Sequence, residues 1–277
     1  MTGMTRTSLA RSSLSMDLEY TLENSGASCT IRTYGGNVFS YKTKDGIEVM
    51  GKRKDAPDPQ MDAKPWAGGN PHCFPQFGPG ELPQHGFARG SMFVPGEKTA
   101  NSMTFKLVPT ADTKAIWDKD FEYSMTVTLN EDSLNWDVVV KNNGDAFDYT
   151  HGLHTYYDIS SLANVKIEGG FRGRALLNRL TDSTSEGTSD TITISEPIDS
   201  MWSDCSAPIT IVDSGKGTRT KILRTGYTDT CVWSPFGDEK MGWDNYVCVE
   251  PVCASKSVTA AAGSETRYSM TVSCEKL

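Results

Sequence analysis

The stretch FEYSMTVTL, residues 121–129, limits what this chain can become. Phe121, Tyr123, Met125, Val127 and Leu129 fall on one side of an extended backbone, and Glu122, Ser124, Thr126 and Thr128 on the other. A period of two is the pleat of a half-buried β-strand; an apolar helix stripe would recur every three to four residues. The same rhythm returns in LNWDVVV, with Leu134, Trp136, Val138 and Val140 in phase. RYSMTVSC sets Tyr268, Met270, Val272 and Cys274 against Ser269, Thr271 and Ser273, and DLEYTLE aligns Leu18, Tyr20 and Leu22. β-Branched and aromatic residues dominate these faces, as strands require.

Helical periodicity behind a capping residue is almost absent. Turn chemistry recurs instead, in NSG from residue 24, NNGD from 142, SEG from 185 and DSGKG from 213. Many strands joined by such turns predict an all-β fold, a large antiparallel β-sandwich. The 277 residues suit one large domain over 17–277, preceded by a tail over 1–16. The tail carries arginines and serines without an acid, a composition shared by disordered termini and organellar targeting segments.

Composition excludes several function classes. A net charge of −8 argues against a nucleic-acid partner, while leaving room for a local basic pocket. No apolar run reaches the roughly 18 residues of a membrane span. Seven cysteines, at 29, 73, 205, 231, 248, 253 and 274, are scattered with no Cys-x-x-Cys pair. They read as reduced thiols of a cytoplasmic protein, with no structural metal. Without an amphipathic helix to pair through, a monomer is expected.

Three stretches carry candidate chemistry, and all four histidines lie in two of them. AGGNPHCFPQFGPGELPQHGFARG, residues 67–90, is dense in glycine and proline and closes a long segment, 52–84, that lacks a strand pattern. Such a loop can offer Gln76, His85 and Arg89 to hydroxyls or an anion. It can equally be a cover over one end of the sandwich, its histidine bonded to backbone. YTHGLHTYYD, residues 149–158, puts His154, Tyr156 and Asp158 on one face if extended. A histidine there can exchange protons near neutrality, or can be a satisfied core residue. In YVCVEPVC, residues 246–253, Glu250 shares parity with Tyr246 and Cys248, just before a proline expected to end the strand. A buried carboxylate would have a raised pKa suited to a general base; an edge glutamate would simply face water.

In order and spacing, AGGNPHCFPQFG, LPQHGFAR, HGLHTYYD and VCVEP resemble the hexose-6-phosphate mutarotase branch of the aldose 1-epimerase family. DTCVWSPFGD, residues 229–238, is similar to a further family segment, and the likeness runs from about residue 20 to the C-terminus. The resemblance implies a galactose-mutarotase-like sandwich that interconverts sugar anomers without cofactor or metal. It implies His154 as general acid, Glu250 as general base, His85 near the sugar oxygens, Asp229 as a hydroxyl ligand and Arg89 as a phosphate ligand. The implied partner is a small sugar or sugar phosphate.

Three positions depart from the family pattern. Ala67 stands where an arginine precedes the paired glycines, Val252 stands where a glycine follows Glu-Pro, and Tyr157 replaces a phenylalanine. The missing arginine bears on phosphate recognition, with Lys64, Arg53 and Lys54 as candidates to compensate. Two other readings stand beside the phosphorylated substrate: a mutarotase of free hexoses, and a non-catalytic carbohydrate-binding sandwich.

Overall fold

A computed structural model describes residues 17–56 and 65–277. The N-terminal tail and Lys64 lie outside the described residues. The chain forms two large antiparallel sheets and a small third one. The nine-stranded sheet runs Thr191–Ile192, Val165–Glu168, Ile209–Asp213, Thr218–Thr225, Glu265–Lys276, Leu134–Asn142, Phe121–Leu129, Ser102–Leu107 and Val94–Lys98. The eight-stranded sheet runs Ser183–Glu186, Ala175–Asn178, Ile198–Trp202, Asp229–Ser234, Tyr246–Ala260, Phe147–Leu153 and His72–Cys73, with Tyr156–Asp158 also paired to Tyr246–Ala260. Glu19–Asn24, Ala27–Arg32 and Val38–Lys42 make the three-stranded sheet.

The sequence periodicity is the cause of this packing. In Phe121–Leu129 every odd position is buried and every even one half-buried. One hydrophobic cluster joins Tyr123, Val127, Trp136, Val138 and Met270 of the nine-stranded sheet to Tyr149, Val232, Val247 and Val249 of the eight-stranded one, with Phe74 beside them. Leu22, Cys29 and Ile31 of the small sheet belong to the same cluster. Each large side chain so buried stabilises the fold by about 1.5–3 kcal/mol. The fold is the β-sandwich expected.

Two local expectations need correction. A short α-helix, Ala111–Ile116, interrupts the strands; Thr110 and Thr113 close a capping box at its start, a signal too short to register as helical periodicity. Pro251 does not end its strand, which continues from Tyr246 to Ala260. On one side of that strand, Tyr156–Asp158 pairs with residues 246–248 and Phe147–Leu153 pairs from Val252 onward. Pro251 falls opposite the break between those two partners, where its missing N–H costs no ladder bond.

The eight-stranded sheet therefore has two distinct faces. Val232, Val247 and Val249 point into the sandwich. Glu250 pairs with Cys231, Trp233 with both Cys248 and Asp199, and Tyr156 with Cys248. Directly paired residues project to the same side, so this set shares the opposite, outer face. The functional site is built there.

Candidate active site

A cavity of about 260 Å³ opens on that outer face, lined by His85, Arg89, His154, Arg179, Asp199, Trp233 and Glu250, with Arg53, Phe77, Gln84, Tyr156 and Cys231. His154 and Glu250 meet across the break described above. His154 Nε2 lies 3.6 Å from Glu250 Oε1, in charge-pair range but beyond a hydrogen bond. Glu250 is 1% exposed and His154 8%. Glu250 Oε2 and His154 Nδ1 have no hydrogen-bond partner among the described residues. Unpaired buried polar atoms are costly, and two titratable groups so placed in one cavity make it the candidate site. The imidazole is held by packing: it stacks on Tyr156 at 5.0 Å and meets Trp233 edge-on at 5.8 Å.

The electrostatics follow from burial. Glu250 has its pKa pushed well above the carboxylate range, first by desolvation and then by Asp199, against the pull of Arg179 and Arg89. Desolvation lowers His154 to about 3, and the charges of Arg89, Arg179 and Arg53 act in the same direction. Both groups favour their neutral forms, leaving a proton donor and a proton acceptor side by side.

The glycine-rich loop supplies His85. Its backbone occupies the left-handed region, φ 64°, an uncommon place for a histidine. Its N–H donates to Gly78 O, and its Nδ1 accepts the Gly78 N–H at 3.2 Å and meets Cys73 Sγ at 3.2 Å. With Nδ1 accepting, the ring proton sits on Nε2, so His85 presents a donor. Burial, then His154, Arg89 and Arg179, keep this ring neutral. The His85 and His154 rings stand 5.3 Å apart. Gly78 beside them sits at φ 75°, in the left-handed region that favours glycine.

Charged groups ring the cavity. Arg89 donates to Gln84 O at 2.8 Å, while its Nε has no partner. Arg179 lies over the Phe77 ring at 5.1 Å and pairs with Asp199 at 3.3 Å. Asp199, 27% exposed at its side chain, is pushed up by burial against the pull of Arg179.

Four of the six residues expected from sequence thus meet: His154, Glu250, His85 and Arg89. Gln76 and Asp229 do not line this cavity. Gln76 Nε2 donates to Gly78 O and Leu82 O, and its Oε1 accepts from Leu82 N; the amide is used in folding the loop. Asp229 is fully buried and accepts from the backbone amides of Asp204, Ala254 and Ser255 and from the Ser255 hydroxyl. The ladder shifts register between Cys253 and Val258, freeing the Ala254 and Ser255 amides, and the carboxylate satisfies them. Asp199 and Arg179 take places that no local pattern announces, because strand pairing alone brings them beside Glu250.

Among the described residues, His154, Cys248 and Glu250 could hold a cation, their ligand atoms lying within 4.8 Å of one another. The Cys248 thiol is raised well above its ordinary value by burial and by Glu250, which opposes the thiolate a metal needs. No helix among the described residues is long and apolar enough to cross a membrane.

Known proteins resemble this chain in sequence and fold. A protein of Cenchrus ciliaris, provisionally named a glucose-6-phosphate 1-epimerase, is 29% identical over 261 residues, covering 86% of this chain and 78% of its own. A Salmonella typhimurium protein with the same provisional name is 25% identical, covering 87% and 85%. The crystal structure of a Salmonella typhimurium protein provisionally described as a mutarotase superposes with a TM-score of 0.83 at 22% identity, covering 94% of this chain and 90% of the other. A Synechocystis protein superposes at 0.82 and 19% identity, covering 99% and 100%. The sequence pattern of aldose 1-epimerase matches residues 19–273, so strands of all three sheets and every residue named around the cavity fall inside it. The chain belongs to the aldose 1-epimerase family, and it is an isomerase of sugars.

Proposed function

We propose that the protein interconverts the α and β anomers of an aldohexose 6-phosphate, with His154 and Glu250 as the acid–base pair. The observation that carries this reading is the close approach of two buried, unpaired titratable groups in one arginine-rimmed cavity. The provisional names of the curated relatives point to the same phosphorylated substrate.

The chemistry needs little else. Glu250 as carboxylate takes the proton from the anomeric O1–H, the C1–O5 bond breaks, and O5 receives a proton from His154. Rotation about C1–C2 then turns the other face of the aldehyde to O5, and the reverse transfers close the ring. The cycle needs one proton shared within the pair. Burial favours that proton on Glu250 in the empty cavity; moving it to His154 makes the carboxylate and imidazolium needed for the first step. Sugar hydroxyls donating to Glu250 favour that transfer. His85 Nε2–H can stabilise charge on a sugar oxygen, and Asp199 can accept from a hydroxyl. Arg89 provides a cation for the phosphate.

Anomer exchange followed by NMR on equilibrated glucose 6-phosphate and on glucose tests this. Exchange above the buffer rate on the phosphate, lost in His154→Ala, is the expected result. Exchange on free glucose alone would replace the phosphorylated substrate with a free hexose, the second reading that Ala67 favours. No exchange on either sugar, nor on galactose or mannose, would leave a binding protein.

A further inference from the structure

Three arginines line the cavity, and their engagements differ. Arg179 is tied to Asp199 and stacked on Phe77, which joins two strands and the glycine-rich loop. Arg89 is fastened to Gln84 O within its own loop. Arg53 pairs with a carboxylate only two residues away: its Nε donates to Asp55 Oδ1 at 2.8 Å and its NH2 to Asp55 Oδ2 at 2.7 Å. That pair bridges no two elements of the fold.

Arg53 also stands in a particular place. Lys52 forms an antiparallel bridge with Gly68, and the Arg53 N–H donates to Ala67 O at 2.9 Å. Arg53 is therefore the residue directly across from Ala67, and facing residues of an antiparallel pair project to the same side. Ala67 packs on Tyr156, Tyr246 and Cys248, beside the cavity. Its single methyl leaves the space on that side to the long side chain opposite. Lys54, the neighbouring candidate cation, alternates to the other side and lines only the adjoining groove.

We propose that Arg53, reaching across from Ala67, supplies with Arg89 the phosphate-binding pair of this site and sets its preference for phosphorylated sugars. This rests on the reaction proposed above. A phosphate dianion offers a guanidinium the same two-oxygen edge that Asp55 offers now, so the fork can pass to the ligand without changing its geometry. Arg53 and Arg89 are partly exposed, while Glu250 and His154 are buried. A charged substituent therefore sits at the rim and the anomeric carbon at the floor. In a hexose 6-phosphate the phosphate hangs from the carbon next to the ring oxygen's other neighbour, on the far side of that oxygen from C1. This matches a floor-to-rim orientation.

The test is the ratio of kcat/KM on glucose 6-phosphate to kcat/KM on glucose, for wild type, Arg53→Ala and Arg53→Lys. We expect Arg53→Ala to lower the ratio about tenfold or more, mainly through KM for the phosphate, as loss of a charge-assisted bond should. Arg53→Lys should recover part of it, since an ammonium keeps the charge and loses the fork. Equal losses on both sugars would make Arg53 a loop anchor and overturn the inference, as would an unchanged ratio. Should Arg53→Ala not fold, the lysine variant decides by the same criterion. A wild type that treats both sugars alike would defeat the phosphate reading itself, which separates that failure from a failure of Arg53.

Discussion

The four histidines divide into two pairs that share a residue type, a pair of short segments and deep burial, yet sit in unlike surroundings. His72 and His151 lie between the two large sheets. Tyr123 Oη links them, 2.7 Å from His72 Nδ1 and 2.9 Å from His151 Nε2. His85 and His154 lie in the outer cavity, where His154 Nε2 faces Glu250 Oε1 at 3.6 Å. All four are at most 8% exposed, and burial is the leading cause of a lowered pKa in each. Neither burial nor a shifted pKa therefore separates the histidine proposed to be catalytic from the structural ones. What separates them is the partner: a tyrosine tying strands together in one case, an unpaired carboxylate facing open space in the other.

The comparison can be broken by mutation. Glu250→Gln or His154→Ala should cut the anomer-exchange rate about 10²- to 10⁴-fold, the usual worth of a positioned acid or base. Thermal melts of both variants should stay close to the parent. A large loss of melting temperature with activity kept would reverse the assignment of the two pairs.

Acid should act on both pairs at once. A histidine whose folded pKa is depressed takes its proton in the unfolded chain first, so stability falls as pH drops below about 6.5. His72 is lowered to about 4, which alone costs on the order of 3 kcal/mol by that pH. His151, His154 and His85 push the same way, and Glu250, whose pKa is raised, opposes them by gaining stability as pH falls. Denaturant titrations at pH 7 and pH 5 should show lower stability at pH 5. A flat profile would mean that water reaches these rings.

The core pair should respond in stability and not in rate. His151→Leu leaves the Tyr123 hydroxyl with one partner fewer and should cost about 1–3 kcal/mol in a denaturant titration, with the rate of the folded enzyme within a few-fold of wild type. A loss of rate comparable to that of His154→Ala would show that the core chain feeds the catalytic pair.

The smallest effect sharpens the same contrast for carboxylates. Asp199→Asn should raise KM by up to about tenfold, with a stability loss of no more than about 1 kcal/mol from the partly exposed Arg179 pair, because Asp199 lines the cavity. Asp229→Asn should lower stability and leave KM alone, because its oxygens are bound to four donors of the scaffold. The opposite pattern would restore Asp229 to the sugar.

Much of this was legible in the chain. Alternation in Phe121–Leu129, Leu134–Val140 and Tyr268–Cys274 announces strands because the pleat makes burial periodic within a few residues. His154 and Glu250 were recognisable from short motifs, since each lies in an unusual local setting. Gln76 and Asp229 looked as apt as His85, and their hydrogen bonds to backbone within the loop and at the bulge were not readable. Those bonds depend on a turn geometry and on a ladder slip, neither of which side-chain order encodes.

By its own order of residues, then, the chain determined an all-β sandwich and a glycine-rich loop, and its motifs named the two residues proposed as the acid–base pair. The tertiary structure alone decided which groups meet. Arg179 and Asp199 join Glu250 through strand pairing with segments some 50 to 70 residues away in sequence, and Arg53 faces Ala67 through a single bridge. Pairing register chooses between the two faces of a sheet, and a change of one residue would move a side chain from the cavity to the core. That choice is made by contacts distant in sequence, so the rim of charges around the cavity becomes visible only in the folded molecule.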